Sequence, residues 1–326
     1  MRKYLQLLVG TSISSVFLYL VLRKVELSKF LLAFKSADYH WVAYAAIILF
    51  LHFFLRILRW KVLLWPIGQV SLSSITGTMF ISFFVNNFLP ARLGDVMRGF
   101  LLSKRENVPL SSSIATLIAE KFLDGLAILS SFGLLTVFFK KNHLDIASYK
   151  LLLVGTYFTL ALFILTALAF YLIKYSPDTF LRFLKSSWKE KTRLYFSSFS
   201  KGLDWMGNPF QFGISLLLSY GVWVLYALGI QTLCKSFYIK VPFYVSFLTM
   251  VAICILTTLP FTPGYVGTYH AATTYCLAFY GVPMAEAAAV AFLYHGMFFV
   301  ISSLPGVFFL WYYHISFRSL REVVKD

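Results

Sequence analysis

"NNFLPARLGDVMRG", residues Asn86 to Gly99, is the stretch on which the reading of this chain turns. It sets two asparagines, a proline, two arginines and an aspartate between two hydrophobic runs. Pro and Gly stop a helix and free backbone polar groups, which hydrocarbon tolerates only where protein or a water-filled cavity satisfies them. A polar break inside an apolar stretch near 73–101 therefore predicts a helix that enters, breaks and turns back.

The rest of the chain supplies the hydrocarbon setting. Of 326 residues, 59% are hydrophobic, 19% aromatic and 13% charged, and the mean hydropathy is +0.76. Ordinary soluble domains do not reach such values, and no ten-residue alternation suggests a transmembrane barrel. The expectation is an all-α polytopic integral membrane protein. Stretches long enough for full spans lie near 4–22, 41–59, 111–139, 150–173, 209–233 and 285–314. A second broken stretch, near 242–280, carries "TTLPFTPGYVG" at its middle.

The net charge of +16 is not read as a nucleic-acid surface. The basic residues flank apolar runs, where they set orientation and attract anionic lipid headgroups. Cys234, Cys254 and Cys276 stand isolated in apolar sequence, with no spacing for a metal or a redox motif. "MRKYLQLLVGTSISSVFLYLVLRK" begins like a signal peptide, but Arg23 and Lys24 follow where a cleavage site would stand, so it is expected to remain as the first helix.

Flanking charge orients the breaks. Arg56, Arg59 and Lys61 precede the first broken stretch, and Lys104 and Arg105 follow it, which puts both flanks on the cytoplasmic side. Only Lys235 and Lys240 precede the second, and "GVPMAE" follows it, so it should re-enter from the opposite face. The basic segment 174–208 is placed inside, and counting outward from it puts both termini inside as well. One segment disagrees: "RKVELSKFLLAFKSADYHW" is basic yet falls on the outer side. Residues 26–36 and the 174–208 loop, with Phe180, Leu181, Leu184 and Trp188 among Arg182, Lys185 and Lys189, have amphipathic character. Each is either an in-plane interfacial helix or a cap on the bundle end.

The two broken stretches overlay. Leu89-Pro90 matches Leu259-Pro260, and Gly94 and Gly264 each follow their proline by four residues; Val-Pro opens a long apolar helix after each break. One transmembrane domain, 1–326, is therefore expected, with repeat 1 near 41–139, repeat 2 near 209–314 and the basic loop between them. Each half reads as span, re-entrant hairpin, span, and inverted repeats with discontinuous helices are an architecture of secondary transporters.

The breaks also suggest chemistry. Thr262-Pro263-Gly264 reads as a helix cap followed by proline at the first helical position, and Asn87 as the cap of a helix whose first turn holds Pro90. Free N–H groups and the positive dipole end at such a terminus favour an anion, and phosphate is the anion membrane lipids supply. Arg92 and Arg98 add fixed donors suited to phosphate. Each costs about 2.5–3.5 kcal/mol at the bilayer centre unless paired or solvated. Asp95, three residues from each, could instead pair with both along one helix face. Glu120 and Asp124, four apart on the next long helix, share a face and require a cation opposite, for which the first-hairpin arginines or Lys121 are candidates. They also leave room for a proton-coupled step. Arg56 and Arg59 are read as snorkelling at the end of their span. Tyr265, Tyr269, Tyr275 and Tyr280 either line a lipid path or pack, and His270 and His295 are lone histidines without metal-ligand spacing.

The residues "NNFLPARLGDVMRGFLL", "SSIATLIAEKFLDG" and "LPFTPGYVGTYHAA" resemble the lysylphosphatidylglycerol synthase transmembrane region, also called the flippase-like domain family. Its N-x-x-L-P-x-R-x-G-[DE]-x-x-R stretch falls here on Asn86, Leu89, Pro90, Arg92, Gly94, Asp95 and Arg98, and its acidic element on Glu120 and Asp124. In its second motif, P-x-P-G-G-x-G, Tyr265 replaces the second glycine, and His270 stands where an acidic residue is common. The resemblance implies movement of a lipid or lipid-linked headgroup between leaflets. Some relatives carry a fused soluble transferase domain; none remains here once the spans are counted, so synthase activity is not carried over.

The expected function is thus a lipid flippase or lipid-translocating transporter rather than an enzyme. Its expected setting is a prokaryotic cytoplasmic membrane, and it is expected to need no cofactor and no metal. The expected site comprises Asn86, Asn87, Arg92, Asp95, Arg98, Glu120, Asp124, Thr262, Gly264, Tyr265, Gly267, Tyr269 and His270, and its partners are lipids with anionic headgroups. The alternatives are a membrane-embedded transferase on a lipid-linked substrate and an assembly partner of an envelope enzyme; a homo-oligomer is a further option.

Overall fold

The computed structural model describes residues 2–89, 92–140, 186–258 and 262–316, together with 157, 160, 161, 164–168, 171 and 172. Among these the chain is helical, with no strand: α1 Arg2–Leu22, α2 Leu27–Ser36, α3 Tyr39–Leu64, α4 Leu72–Phe88, α5 Leu93–Glu106, α6 Leu110–Lys140, α7 Ser186–Lys201, α8 Pro209–Ser236, α9 Phe243–Thr258, α10 Thr268–Phe279 and α11 Met284–Tyr312. It is an all-α polytopic membrane protein. Helices α3, α8 and α11 are each long and apolar enough to cross a bilayer, since 26 residues at 1.5 Å rise reach about 39 Å.

The expected spans near 41–59, 111–139, 209–233 and 285–314 fall on α3, α6, α8 and α11. The span near 150–173 and the hydrophobic face proposed at Phe180, Leu181 and Leu184 lie largely outside the described residues. Within the basic loop, residues 186–201 form α7. Both broken stretches break where the sequence said. The first gives α4 and α5, separated by residues 89–92. The second gives α9, a 3₁₀ turn Pro263–Tyr265 and α10.

Two compact units are described separately. One gathers Met1–Leu55, Thr76–Arg98 and Gly221–Asp326; the other gathers Arg56–Ile75 and Gly99–Tyr220.

In the first unit α11 packs against α10 and α2. Ala285, Ala287, Ala288, Ala289 and Ala291 are buried along it, and small side chains let helix backbones approach closely where lipid gives no hydrophobic drive to associate. Val21 of α1, Ala271 of α10 and Ala288 form one core, with Phe17, Val25, Phe30 and Tyr275 packed against it. Further along α11, a Cβ on Gly306 would sit 2.7 Å from the Phe80 carbonyl, so α4 lies hard against it. Helix α2 sets Phe30 edge-on to Phe292 of α11 and Phe34 edge-on to Phe237, while Leu27, Leu31 and Leu32 are exposed. It packs on its bundle through one face and leaves an apolar face outward.

In the second unit the Trp60 indole N–H donates to Thr116 Oγ1 at 3.1 Å, tying α3 to α6. The Ser112 hydroxyl donates to the Ser198 carbonyl, tying α6 to α7. A Cβ on Gly202 would lie 2.6 Å from that of Ala115, so α7 ends in close contact with α6.

Candidate functional site

The break between α4 and α5 is closed by a side chain of α4 itself. Asn86 Oδ1 accepts the Gly94 N–H at 2.8 Å, and its Nδ2 donates to Asp95 Oδ1 at 2.9 Å. Gly94 stands so close to the Ser82 carbonyl that a Cβ there would overlap it. The first turn of α5 thus folds back along the last turns of α4, the geometry of a hairpin. This corrects the expected cap. Asn87 does not cap α5; its Nδ2 donates to Ser302 Oγ at 2.9 Å and Ser303 Oγ at 2.8 Å on α11. Pro90, expected in that first turn, lies outside the described residues, and α5 begins at Leu93. Asp95, in that first turn, favours the helix dipole.

Arg92 lies before the helix, in the left-handed region at φ +53°. That removes it from the helical face on which Asp95 was expected to pair with it. Its Nη2 donates instead to the Thr257 carbonyl at 2.8 Å, at the end of α9. Its guanidinium carbon stands 5.7 Å from the centre of the Tyr265 ring, within cation–π range. The Arg92 Nε is buried without a hydrogen-bond partner among the described residues. Arg98, further along α5, is only 3% exposed.

The second break is built differently. Thr262 precedes Pro263 as expected, but the pair opens a single 3₁₀ turn rather than the exit helix, and the Thr262 hydroxyl lies 3.0 Å from that of Thr268 instead of capping. Gly264 at φ +57°, Tyr265 at φ +61° and Gly267 at φ +86° turn the chain. Helix α10 starts at Thr268, and its cap is completed by His270, whose Nδ1 accepts the Gly267 N–H at 3.2 Å. Gly267 leaves no room for a Cβ against the Ser14 carbonyl of α1, and the Ser14 hydroxyl donates to the Val266 carbonyl at 2.7 Å.

The two tips meet. A Cβ on Gly264 would lie 2.6 Å from the Asn87 carbonyl, and Arg92 reaches across to Thr257 and Tyr265. The His295 Nε2–H of α11 donates to the Gly264 carbonyl at 2.9 Å. Left-handed backbone at Arg92 and at Tyr265 costs roughly 1–2 kcal/mol each, and such strain persists only where surrounding contacts hold it. Both strained residues are partners in the same contact.

The structure therefore brings Asn86, Asn87, Arg92, Asp95, Thr262, Gly264, Tyr265, Gly267, Tyr269 and His270 into one unit, with Arg98 at its edge. Tyr269 is buried, stacked on His295 with ring centres 4.7 Å apart, and its hydroxyl lies 3.0 Å from that of Tyr226. Tyr275 donates to the Leu20 carbonyl, and Tyr280 packs edge-on to Tyr244. His270 and His295, lone in the sequence, have ring centres 4.8 Å apart.

Glu120 and Asp124 belong to the other unit, and the cation they meet there corrects the sequence reading. Arg59, expected to snorkel, is fully buried. It donates from Nη1 to Asp124 Oδ1 and to Ser219 Oγ at 3.0 Å, and lies 3.2 Å from Glu120 Oε1. Lys121 is exposed. The reason is helix length: α3 continues to Leu64 with Trp60, Val62, Leu63 and Leu64 buried, so Arg59 stands more than a turn from the helix end. The acids at i and i+4 were the signal that could have found it, because two carboxylates on one buried face demand a guanidinium from another helix.

Chemically, Asn86 takes up one N–H at the start of α5, and His270 that of the residue capping α10. Among the described tip residues an anion would also find the Arg92 guanidinium, held by a neutral carbonyl and an aromatic face.

Comparison with known proteins adds lineage. A family model described as the lysylphosphatidylglycerol synthase TM region matches residues 7–306. The UPF0104 membrane protein of Methanocaldococcus jannaschii is 26% identical over 211 residues, covering 65% of this chain and 86% of that protein. The glycosyltransferase AglD of Haloferax volcanii is 31% identical over 129 residues, which cover 39% of this chain and 21% of that protein.

Proposed function

This chain belongs to the lysylphosphatidylglycerol synthase transmembrane-region family, and from that premise we propose that it moves an anionic phospholipid or lipid-linked headgroup between membrane leaflets. The observation that carries the reading is the meeting of two broken-helix tips over Arg92. A guanidinium kept inside a hydrocarbon setting by neutral groups has donors to give to a phosphate, and a broken helix on each side supplies backbone that can rearrange around a headgroup. In this reading Arg92 binds the phosphate and Arg98 supports it. Asn86 and Asp95 hold α5 in place, and Gly264, Tyr265 and Gly267 form the opposing wall. Its partners are anionic lipids, its setting is a prokaryotic cytoplasmic membrane with both termini inside, and no covalent chemistry is assigned to it.

Reconstitution of the purified protein into liposomes tests this. Accelerated leaflet exchange of labelled phosphatidylglycerol, phosphatidic acid or a polyprenyl phosphate is expected, and Arg92→Ala abolishes it. Unaccelerated exchange of all of these probes refutes the proposal.

The similarity to a protein named a glycosyltransferase favours a second reading, a membrane-embedded step in transfer to a lipid-linked acceptor. Mass spectrometry of lipids after incubation with sugar donors separates the two: a covalently altered lipid supports transfer, and unaltered lipid that has changed leaflet supports transport.

A further inference from the structure

The Arg92 guanidinium presents two different edges to its surroundings, and the edge that suits a phosphate is half used. The Nε and Nη2 N–H groups lie in the guanidinium plane along one edge, the pair of donors that grips two oxygens of one phosphate. Here Nη2 donates to the Thr257 carbonyl at 2.8 Å, while Nε is buried without a partner. Thr257 belongs to the descending arm of the second hairpin, and the cation–π partner Tyr265 to its turn. A single side chain of the first hairpin thus holds both parts of the second. It does so from a left-handed backbone at φ +53°, against a tyrosine also left-handed at φ +61°.

We propose that Arg92 is an exchangeable latch between the two hairpins, and that a phosphate group opens it by taking the Nε–Nη2 edge. The bond from the guanidinium to the Thr257 carbonyl is charge-assisted through its donor alone, whereas a bond to a phosphate oxygen is charged on both sides. A phosphate gives two such bonds in place of one to the carbonyl, so the exchange runs toward the ligand. Once Nη2 leaves Thr257, the end of α9 and the 3₁₀ turn keep only the packing of Gly264 on Asn87 as their described contact with the first hairpin, and the strained pair at Arg92 and Tyr265 is free to relax. Headgroup binding and separation of the tips are then one event. The inference rests on the transport reading above and adds to it how a bound headgroup would loosen the barrier that the tips form.

Hydrogen exchange of the full chain in phosphatidylcholine nanodiscs, read by mass spectrometry over residues 262–268, tests the latch. Removing one charged hydrogen bond shifts a local opening equilibrium by about tenfold. Arg92→Gln is therefore expected to speed exchange there by about that factor, while the alanine stretch 285–291 of α11 keeps its wild-type rate and reports that the variant is folded. Phosphatidic acid added to wild-type discs is expected to give the same acceleration, and none in Arg92→Gln. Inorganic phosphate is run in parallel. Acceleration by both ligands assigns the latch to any phosphate, acceleration by phosphatidic acid alone assigns it to a lipid headgroup, and acceleration by neither overturns it. If Arg92→Gln does not fold, Tyr265→Leu, which removes the ring and keeps the guanidinium, is read instead: phosphatidic acid is expected to speed its exchange over 262–268 as in the wild type, and no acceleration there overturns the latch. Wild-type exchange over 262–268 in Arg92→Gln, together with loss of lipid movement, overturns the latch and leaves the transport reading standing. Faster exchange with no lipid moved by the wild type does the reverse.

Discussion

Two arginines of this chain, Arg92 half-buried and Arg59 fully buried, are held in opposite ways. At the hairpin tips Arg92 meets a backbone carbonyl and an aromatic ring, both uncharged, from a strained backbone. In the other unit Arg59 meets two carboxylates and a serine from a regular helix, with nothing of the residue exposed. The contrast separates two uses of the same side chain. A guanidinium held by neutral groups can change partners without stranding an opposite charge. One held by Glu120 and Asp124 cannot leave without burying two like charges four residues apart. The first arrangement suits a ligand; the second fixes the packing of α3, α6 and the start of α8.

The largest effect expected from this contrast is on stability at Arg59. Arg59→Met leaves both acids without the guanidinium between them, and removing one partner of a buried ion pair costs about 3–5 kcal/mol. Thermal unfolding in detergent should show a large drop in midpoint for Arg59→Met, and a smaller change for Arg92→Met. Equal drops would erase the distinction between a structural and an exchangeable arginine.

Next is Gly264. Alanine there must adopt φ +57° and place a Cβ 2.6 Å from the Asn87 carbonyl. A left-handed alanine and a backbone overlap together cost about 2–3 kcal/mol. Gly281 provides the control within the same unit: its φ is +87°, but no atom stands within 4 Å of the added Cβ. Gly281→Ala should therefore cost only the conformational part, about 1–2 kcal/mol. If the two substitutions lower the unfolding midpoint equally, the tips are not in contact.

How far the sequence could be read follows the same divide. The breaks were legible because Pro90, Gly94, Pro263 and Gly264 are local signals, and helix termination is decided by the residues that stand there. Arg59 was not, because its environment is set by where α3 ends and by what α6 presents, neither of which is local to it. The identity of the α5 cap was a matter of register. Adjacent asparagines are equivalent in a sequence, but on a helix they point about 100° apart, so one turns back to Gly94 and the other outward to α11. The start of α10 was missed for a related reason. A Thr-Pro-Gly run signals a cap, yet the positive φ at Gly264, Tyr265 and Gly267 delays the helix until Thr268, and only backbone geometry reveals that delay.

The cap makes the third prediction. Asn86→Ala removes the acceptor of the Gly94 N–H and a donor to Asp95 and should cost about 1–2 kcal/mol, the usual loss for a helix cap with a second bond attached. Asn86→Asp keeps the acceptor but sets a second carboxylate against Asp95, so it should not restore the wild-type midpoint.

The smallest effect is expected one residue further on. Asn87→Ala removes two hydrogen bonds, as many as Asn86→Ala does, but the groups left behind are the hydroxyls of Ser302 and Ser303 on a helix. A helical serine can turn its hydroxyl to a carbonyl three or four residues earlier, and Ser302 already lies 3.4 Å from that of Phe299. The Gly94 N–H has no such alternative, because Gly94 stands in the first turn of α5 where no earlier carbonyl of that helix exists. Asn87→Ala should therefore cost about 0.5–1 kcal/mol, less than Asn86→Ala although each loses two hydrogen bonds. A reversed order, read as unfolding midpoints of the two alanine variants under one set of conditions, would mean that Asn87 rather than Asn86 holds the first hairpin together.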